Sequence, residues 1–212
     1  MSDTHVLRCF GEALAARAVH TIAGRAPRVV YVRDGVATFR SGGQVATMAA
    51  NSAWFGTDAC EITAGANGAS ILEWHLLPVA IAMPNRTPLL EASITLDPAA
   101  RYLMRCDRVD FPIGGIAYTH THRGPGIRCL LNGAITVQVT GKKHHLQPGR
   151  AWFEAGPDPV LALASESEPT SFARVMILPL ELRGKSSIKY VLPEDQDKPK
   201  RQTYQLFVDD AI

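Results

Sequence analysis

The sequence predicts an all-β protein built from two related barrel units, and three observations predict it. First, the chain repeats itself: slid by 98 residues, Arg25 to Ile62 lies on Arg123 to Val160 without a gap, and eight of these 38 positions are identical. Roughly two would be expected by chance at ordinary composition. Second, each copy carries short apolar or alternating runs, VVYVRDGVATF and IRCLLNGAITVQV, interrupted by Asp-Gly or Asn-Gly. Such dipeptides are strong tight-turn signals, and regular short strands between them mark a sandwich or barrel. Third, only one segment of any length reads as a helix.

That segment is Leu7 to Arg17, Ala-rich and broken only by Gly11; helix propensity favours a helix there, with a strand as the alternative because the first repeat follows directly. Within the repeat, Gly35 and Gly133 fall at hairpins and Gly43 and Gly141 at the next turns. Ala53-Trp54-Phe55 returns as Ala151-Trp152-Phe153. Beyond, with three extra residues in the second copy, SILEWHLLP (Ser70 to Pro78) matches SFARVMILP (Ser171 to Pro179). Leu89 to Met104 is expected to open the second unit, which gives a first barrel over 1–88, a second over 89–184 and an extension over 185–212. In the extension Pro193 to Arg201 is a polar loop, and Tyr204 to Val208 is an apolar run that docks on its own barrel or on a partner subunit.

Composition narrows the function classes. With 46% hydrophobic and 20% charged residues in 212, the chain reads as an ordinary soluble globular protein. Lys plus Arg is 22 and Asp plus Glu is 20, a net charge of +2, so nothing calls for nucleic acid or an anionic membrane. The N-terminus lacks a basic region followed by an apolar run, which predicts no secretory signal, and Leu76 to Met83 is too short to span a bilayer and is closed by Pro84. Cys9, Cys60, Cys106 and Cys129 are scattered without metal-type spacing, which predicts buried, reduced thiols and a cytoplasmic protein.

The stretch with chemistry in it is Gly114 to Gly133, GGIAYTHTHRGPGIRCLLNG, where two of the seven histidines stand one residue apart. Strand side chains have period two, so His120 and His122 point to one face, a metal-ligand geometry; the bland alternative is two histidines hydrogen-bonded in the mouth of a barrel. His144 and His145 are adjacent, point to opposite faces and read as an exposed turn and strand start, while His20 and His75 are singletons read as structural. Tyr118 shares parity with the pair and should face the same cavity if the strand is regular, as a proton donor or as a core aromatic. Arg128 has the same parity; a buried arginine in an apolar strand needs a partner, either Glu154 or the carboxylate of a small substrate. Arg174 raises the same question on a second apolar strand. Trp152 and Phe153 recur in the copy that lacks histidines, which assigns them to packing.

The frame Gly114, five residues, His120-Thr121-His122 and a later glycine at Gly133 resembles the first motif of the cupin superfamily. The resemblance covers most of the chain and implies double-stranded β-helix (jelly-roll) barrels in two copies, a bicupin. It implies a metal site in the second copy only, because Ile22 and Gly24 occupy the histidine positions of the first. Two family ligands are missing: Gly126 stands where the first motif supplies a glutamate, and Val160 where the second supplies a histidine. A transition metal wants a third ligand, most economically a carboxylate. Glu154, six residues before Val160 and matched by Gly56 in the first copy, is the first candidate, against a rim carboxylate paired with Arg128; Asp158 in the GPDP turn is the second. The resemblance thus implies a homodimeric metalloenzyme holding Fe(II), Mn(II), Ni(II) or Zn(II) through His120, His122 and Glu154 and acting on a small organic molecule. Tyr118, Arg128 and Glu154 would be its catalytic groups. With oxygen it would be a dioxygenase, and without it a Lewis acid for isomerisation, hydrolysis or elimination. The competing expectation is a non-catalytic bicupin that binds a small molecule at a decayed metal site.

Overall fold

The structure, a computed structural model, describes residues 3–79, 81, 83 and 86–212. It divides at Ala99/Ala100 into two compact units. The first contains β1 (Asp3–Leu14), β2 (Val19–Ile22), β3 (Arg28–Ser41), β4 (Gln44–Ala49), β5 (Ser52–Gly56), β6 (Cys60–Pro78) and β7 (Leu90–Leu96). The second contains β8 (Tyr102–Phe111), β9 (Ile116–His122), β10 (Gly126–Asn132), β11 (Ile135–Val139), β12 (Lys142–Leu146), β13 (Ala151–Glu154), β14 (Val160–Ala164), β15 (Thr170–Pro179), β16 (Ile188–Tyr190) and β17 (Thr203–Ala211). No helix among the described residues is long and apolar enough to cross a membrane.

The repeat in the sequence is a repeat in the hydrogen-bond ladders. Arg28 pairs with Gly56 on one side and His75 on the other, and Gly126 pairs with Glu154 and Met176. In the second unit the strands form two five-stranded sheets, β13-β10-β15-β8-β17 and β12-β11-β14-β9-β16. Its core unites both: Val109, Leu130 and Phe172 of one sheet pack with Ala117, Val137 and Val160 of the other. In the first unit β3 and β6 run on through the corresponding corners, so its seven strands form one continuous sheet.

Three expectations are corrected here. Gly35 and Gly133 are corners, not hairpins: β10 and β11 pair with different partners, and β3 continues through Gly35 with a register shift. Both glycines have positive φ, and at Gly133 a Cβ would also collide with Pro169 and Thr170. The hairpins come one turn later, around Gly42-Gly43 and Thr140-Gly141, where both loop residues have positive φ as a type I′ turn requires. Second, Leu7 to Arg17 is not a helix. It is mostly β1, which pairs with β6 along ten residues and with β7 on its other side, so ladder formation overrides alanine's helix propensity. Third, Leu89 to Met104 does not open the second unit as a whole: β7 pairs with β1, and only β8 belongs to the second barrel. The extension packs on its own barrel, one of the two placements expected for Tyr204 to Val208: β16 pairs with β9 and β17 with β8, each lengthening a sheet of the second unit.

Candidate metal centre

The two sheets of the second unit bring the site together. His120 and His122, near the end of β9, come from one sheet; Arg128 on β10, Glu154 on β13 and Arg174 on β15 come from the other. Both histidines are 5% exposed and Glu154 6%, so the period-two reading of the pair agrees with the structure and Glu154 is an interior group rather than a rim carboxylate. Glu154 lies there because it pairs directly with Gly126, and directly opposed residues share a face of the sheet. A side chain at Gly126 itself would collide with the backbone of Val175 and with Met176. The carboxylate therefore sits one strand over from the place where the resemblance implied it.

Tyr118 does not face this cavity. Val160 pairs with His120 but Ala162 with Ala117, so β9 carries an extra residue between Ala117 and His120. Such a bulge reverses the parity of the strand. The Tyr118 ring instead lies under the Lys198 ammonium, 4.9 Å from its centroid. Its contribution to the site is its carbonyl oxygen, which accepts a hydrogen bond from His120 Nδ1 at 2.6 Å. A carbonyl cannot donate, so the His120 proton is on Nδ1 and, in the neutral ring, Nε2 offers a lone pair. Burial pushes the His120 pKa down, and burial reinforced by the Arg128 guanidinium pushes His122 well down, so both rings are neutral at pH 7.

The donor atoms converge. His120 Nε2 and His122 Nε2 are 3.2 Å apart, and His122 Nε2 is 3.5 Å from Glu154 Oε2. One ligand atom from each of these three residues lies within 4.8 Å of the other two. Two ligands held about 2.1 Å from one ion at tetrahedral or octahedral angles stand about 3.0 to 3.4 Å apart, close to the separations observed. Glu154 Oε1 accepts a hydrogen bond from Trp152 Nε1 at 2.9 Å. Oε2 lies 2.6 Å from Arg128 Nη2, an approach too oblique to be a hydrogen bond, which leaves Oε2 a buried acceptor without a hydrogen-bond donor. An unsatisfied carboxylate oxygen beside two neutral imidazole nitrogens fits a divalent cation.

The surrounding charges are paired off. Arg128, whose pKa burial lowers to about 10, remains a cation at pH 7; it holds Glu154 through one nitrogen and donates to the Gly126 carbonyl through another at 2.7 Å. Of its two expected partners it is Glu154 that it meets. Arg174 is held by Asp107 through two bonds of 2.6 and 3.0 Å. Trp152, assigned by its recurrence to packing, does pack on Phe172, but its indole N–H also orients Glu154. Asp158 is exposed in its turn and takes no part, and Val160 is a core residue. His144 and His145 are exposed on β12.

Beside the donors is a cavity of only about 20 Å³, roofed by Ile188 and Tyr204 of the C-terminal strands. Such a space holds one water-sized guest. Ile188, Tyr204 and Arg174 also line a wider outer pocket of about 290 Å³, whose other walls include Arg105, Lys185, Tyr190 and Lys200. Tyr190 packs edge-on against His120, with ring centroids 6.4 Å apart, and Ser187 Oγ reaches His122 Nδ1 at 3.5 Å. These C-terminal groups went unread in the sequence, because a three-residue strand after an irregular loop has no periodicity to follow.

Sequence reasoning also missed a cluster in the first unit. His20 and His75 are not singletons: their Nε2 atoms donate to the two oxygens of the fully buried Glu73 at 2.8 and 2.9 Å, and Arg86 grips the same carboxylate with two bonds of 3.0 Å. The sequence signal was E-W-H on an apolar strand, a buried acid and a histidine on one face.

The fold is similar to that of oxalate decarboxylase from Lactobacillus farciminis, solved as a formate complex (TM-score 0.70, 12% identity, 92% of this chain and 82% of that one). It is similar to AerE from Microcystis aeruginosa (TM-score 0.63, 12% identity, 83% and 88%) and to salicylate 1,2-dioxygenase from Pseudaminobacter salicylatoxidans (TM-score 0.58, 11% identity, 95% and 75%). At these identities the likeness is one of fold. No protein-family model matches the chain, and no curated protein matches it.

Proposed function

We propose that this chain, whose fold is two cupin barrels in succession, is a metal-dependent enzyme that acts on a small organic acid in the second barrel. The observation that carries the reading is the convergence of His120, His122 and the unsatisfied oxygen of Glu154 on one point. His120, His122 and Glu154 would hold a divalent transition metal, which supplies Lewis-acid or oxygen chemistry when bound. The Tyr118 carbonyl fixes the ligand tautomer of His120, Trp152 fixes the carboxylate plane of Glu154, and the Arg128 guanidinium, 2.6 Å from Glu154 Oε2, balances its charge.

Substrate class follows from the outer pocket. Arg105, Arg174, Lys185 and Lys200 line it against one acid, Asp107, and an excess of cations favours a carboxylate. The phenol assigned to proton transfer is Tyr190 rather than Tyr118, because its ring packs on His120 and burial, the leading influence, raises its pKa, keeping the proton on. The reaction class we favour is oxidation of that acid by dioxygen, since the inner cavity has room for a water molecule or a diatomic gas beside the donors and for little else. Four buried free cysteines suit a reducing compartment, the cytoplasm.

The smallness of the inner cavity also favours one competing reading, a bicupin that binds its ligand in the outer pocket without turning it over. Metal analysis by inductively coupled plasma mass spectrometry separates the two, on untagged wild type beside His120→Ala, His122→Ala and Glu154→Ala. Near-stoichiometric metal in the wild type, lost in the histidine variants and weakened in Glu154→Ala, is the expected result. Oxygen uptake with a panel of small acids then tests the reaction class. Wild type without metal, even after anaerobic loading with Fe(II), Mn(II), Ni(II) and Zn(II), would overturn the metalloenzyme reading.

A further inference from the structure

The first barrel has a pocket that the reading above does not use. A cavity of about 430 Å³ opens between the end of β2, the C-terminal part of β6 and the segment that carries Ile81, Met83 and Arg86. That volume suits a small molecule. Its walls are mainly hydrocarbon, and its polar lining is one-sided: Arg25, Arg28, Arg86 and His75 face it, and among the described residues no carboxylate does. The acids that balance these groups stand elsewhere. Glu73, fully buried, lies behind His75 and Arg86, and Asp58 pairs with Arg25 outside the cavity lining.

Arg28 is the unusual member. It is 1% exposed, and no carboxylate among the described residues forms an ion pair with it. Its two terminal nitrogens donate to the carbonyls of Asp58 and Gly24 at 2.7 and 2.8 Å, and its Nε–H has no hydrogen-bond partner. A buried cation with an unused donor is costly unless an anion accompanies it. His75 adds a neutral imidazole, since burial outweighs its bond to Glu73 and lowers its pKa.

We infer that the mouth of the first barrel binds a small organic carboxylate with a short apolar body, its carboxylate directed to Arg28 and its hydrocarbon to Ile22, Leu77 and Ile81. This barrel is therefore a ligand-binding module and not merely a structural copy of the second. The site is independent of the metal centre, and so is its test.

Benzoate and hexanoate, with benzyl alcohol and hexanol as neutral counterparts, are titrated into the full chain, followed by calorimetry and by the Arg Nε–H resonances in ¹⁵N-correlated NMR spectra. The expected result is binding of the acids at one site, no binding of the alcohols, and a downfield shift of the Arg28 Nε–H. Affinity should fall at least about tenfold in Arg28→Met, and in Ile81→Trp, an exposed position where an indole narrows the mouth without touching the core. It should be unchanged in the His120→Ala/His122→Ala double variant. Absence of carboxylate binding, equal binding of the alcohols, or a site lost with the histidines and kept in Ile81→Trp would each overturn the inference.

Discussion

At the end of β2 and near the end of β9 the two units reach the same place in the same fold with opposite contents. Ile22 and Val30 belong to the apolar core of the first barrel, together with Phe39, Ile62 and Ile71. Their counterparts, His120 and Arg128, are the polar lining of the second. At the third position the contrast is sharper. Trp54 stacks on Phe39 with ring centroids 5.2 Å apart and lies over Gly56, where an added Cβ would run into its ring; the equivalent Trp152 turns its N–H toward Glu154. One indole thus fills the space of a carboxylate in one barrel and orients a carboxylate in the other. The fold itself is indifferent to what stands in its centre, provided that either hydrocarbon closes the space or every polar group finds a partner.

The comparison can be broken most forcefully from the first barrel. Gly56→Glu would place a charge against an apolar core and a ring against a side chain, and it should destabilise the first unit by more than about 4 kcal/mol in urea unfolding. A loss below about 1 kcal/mol would mean that Trp54 moves aside freely and that the two centres differ less than their packing implies.

The second test exchanges contents in the other direction. Glu154→Leu leaves Arg128 buried without its carboxylate and should cost about 3 kcal/mol or more, whereas Arg128→Met combined with Glu154→Leu should recover most of that loss, because a buried pair replaced together by hydrocarbon is often close to neutral. Urea unfolding of the three variants checks this. Full additivity of the two substitutions would show that Arg128 and Glu154 are not coupled and that the ion pair is incidental.

The smallest effect is one of pH, and it sharpens the contrast between the polar devices of the two barrels. Burial alone would raise the Glu73 pKa, but hydrogen bonds from His20, His75 and Arg86 outweigh it and hold the group well below its ordinary 4.5. A depressed carboxylate pKa stabilises the fold fully above the unfolded value and less as pH falls through 4.5 toward the folded one. Thermal melts of wild type and Glu73→Gln should therefore run parallel above about pH 5 and converge below it, with a difference in slope of at most about 1.4 kcal/mol per pH unit. Curves that stay parallel down to pH 3 would mean that the carboxylate is not ionised in the fold.

How far these centres were legible in the sequence depends on whether period or contact decided each residue. The shared face of the histidine pair was legible, because no irregularity falls between them on the strand; Glu154 was half legible, since its place six residues before Val160 and against Gly56 in the repeat did not choose between an interior ligand and a carboxylate paired with Arg128. The double barrel was legible from the same repeat. Tyr118 was misplaced because a bulge two residues before His120 is invisible to a parity argument. The helix over Leu7 to Arg17 failed because β1 is bound on both edges, and a ladder contributes far more than a propensity of a few tenths of a kcal/mol per residue. Gly126 hid the relocation of the carboxylate, since strand neighbours across a ladder have no fixed distance along the chain. His20, Glu73, His75 and Arg86 were unreadable as a group for the same reason: four residues spread over 67 positions meet only after folding.

The roof of the inner cavity has a kinetic consequence. Ile188 and Tyr204 belong to strands at the edges of their sheets, β16 held by three residue pairs and β17 by a ladder with a register shift, and between them runs the loop of Pro193 to Arg201. The histidines stand on β9, bonded along both edges, and Glu154 stands on β13, an edge strand held to β10 by four residue pairs against the three that hold β16. A guest held by His120, His122 and Glu154 therefore stays as long as the roof stays shut. Its rate of departure is set by the opening of a short edge strand and levels off as a competing chelator is added, however strongly that competitor binds.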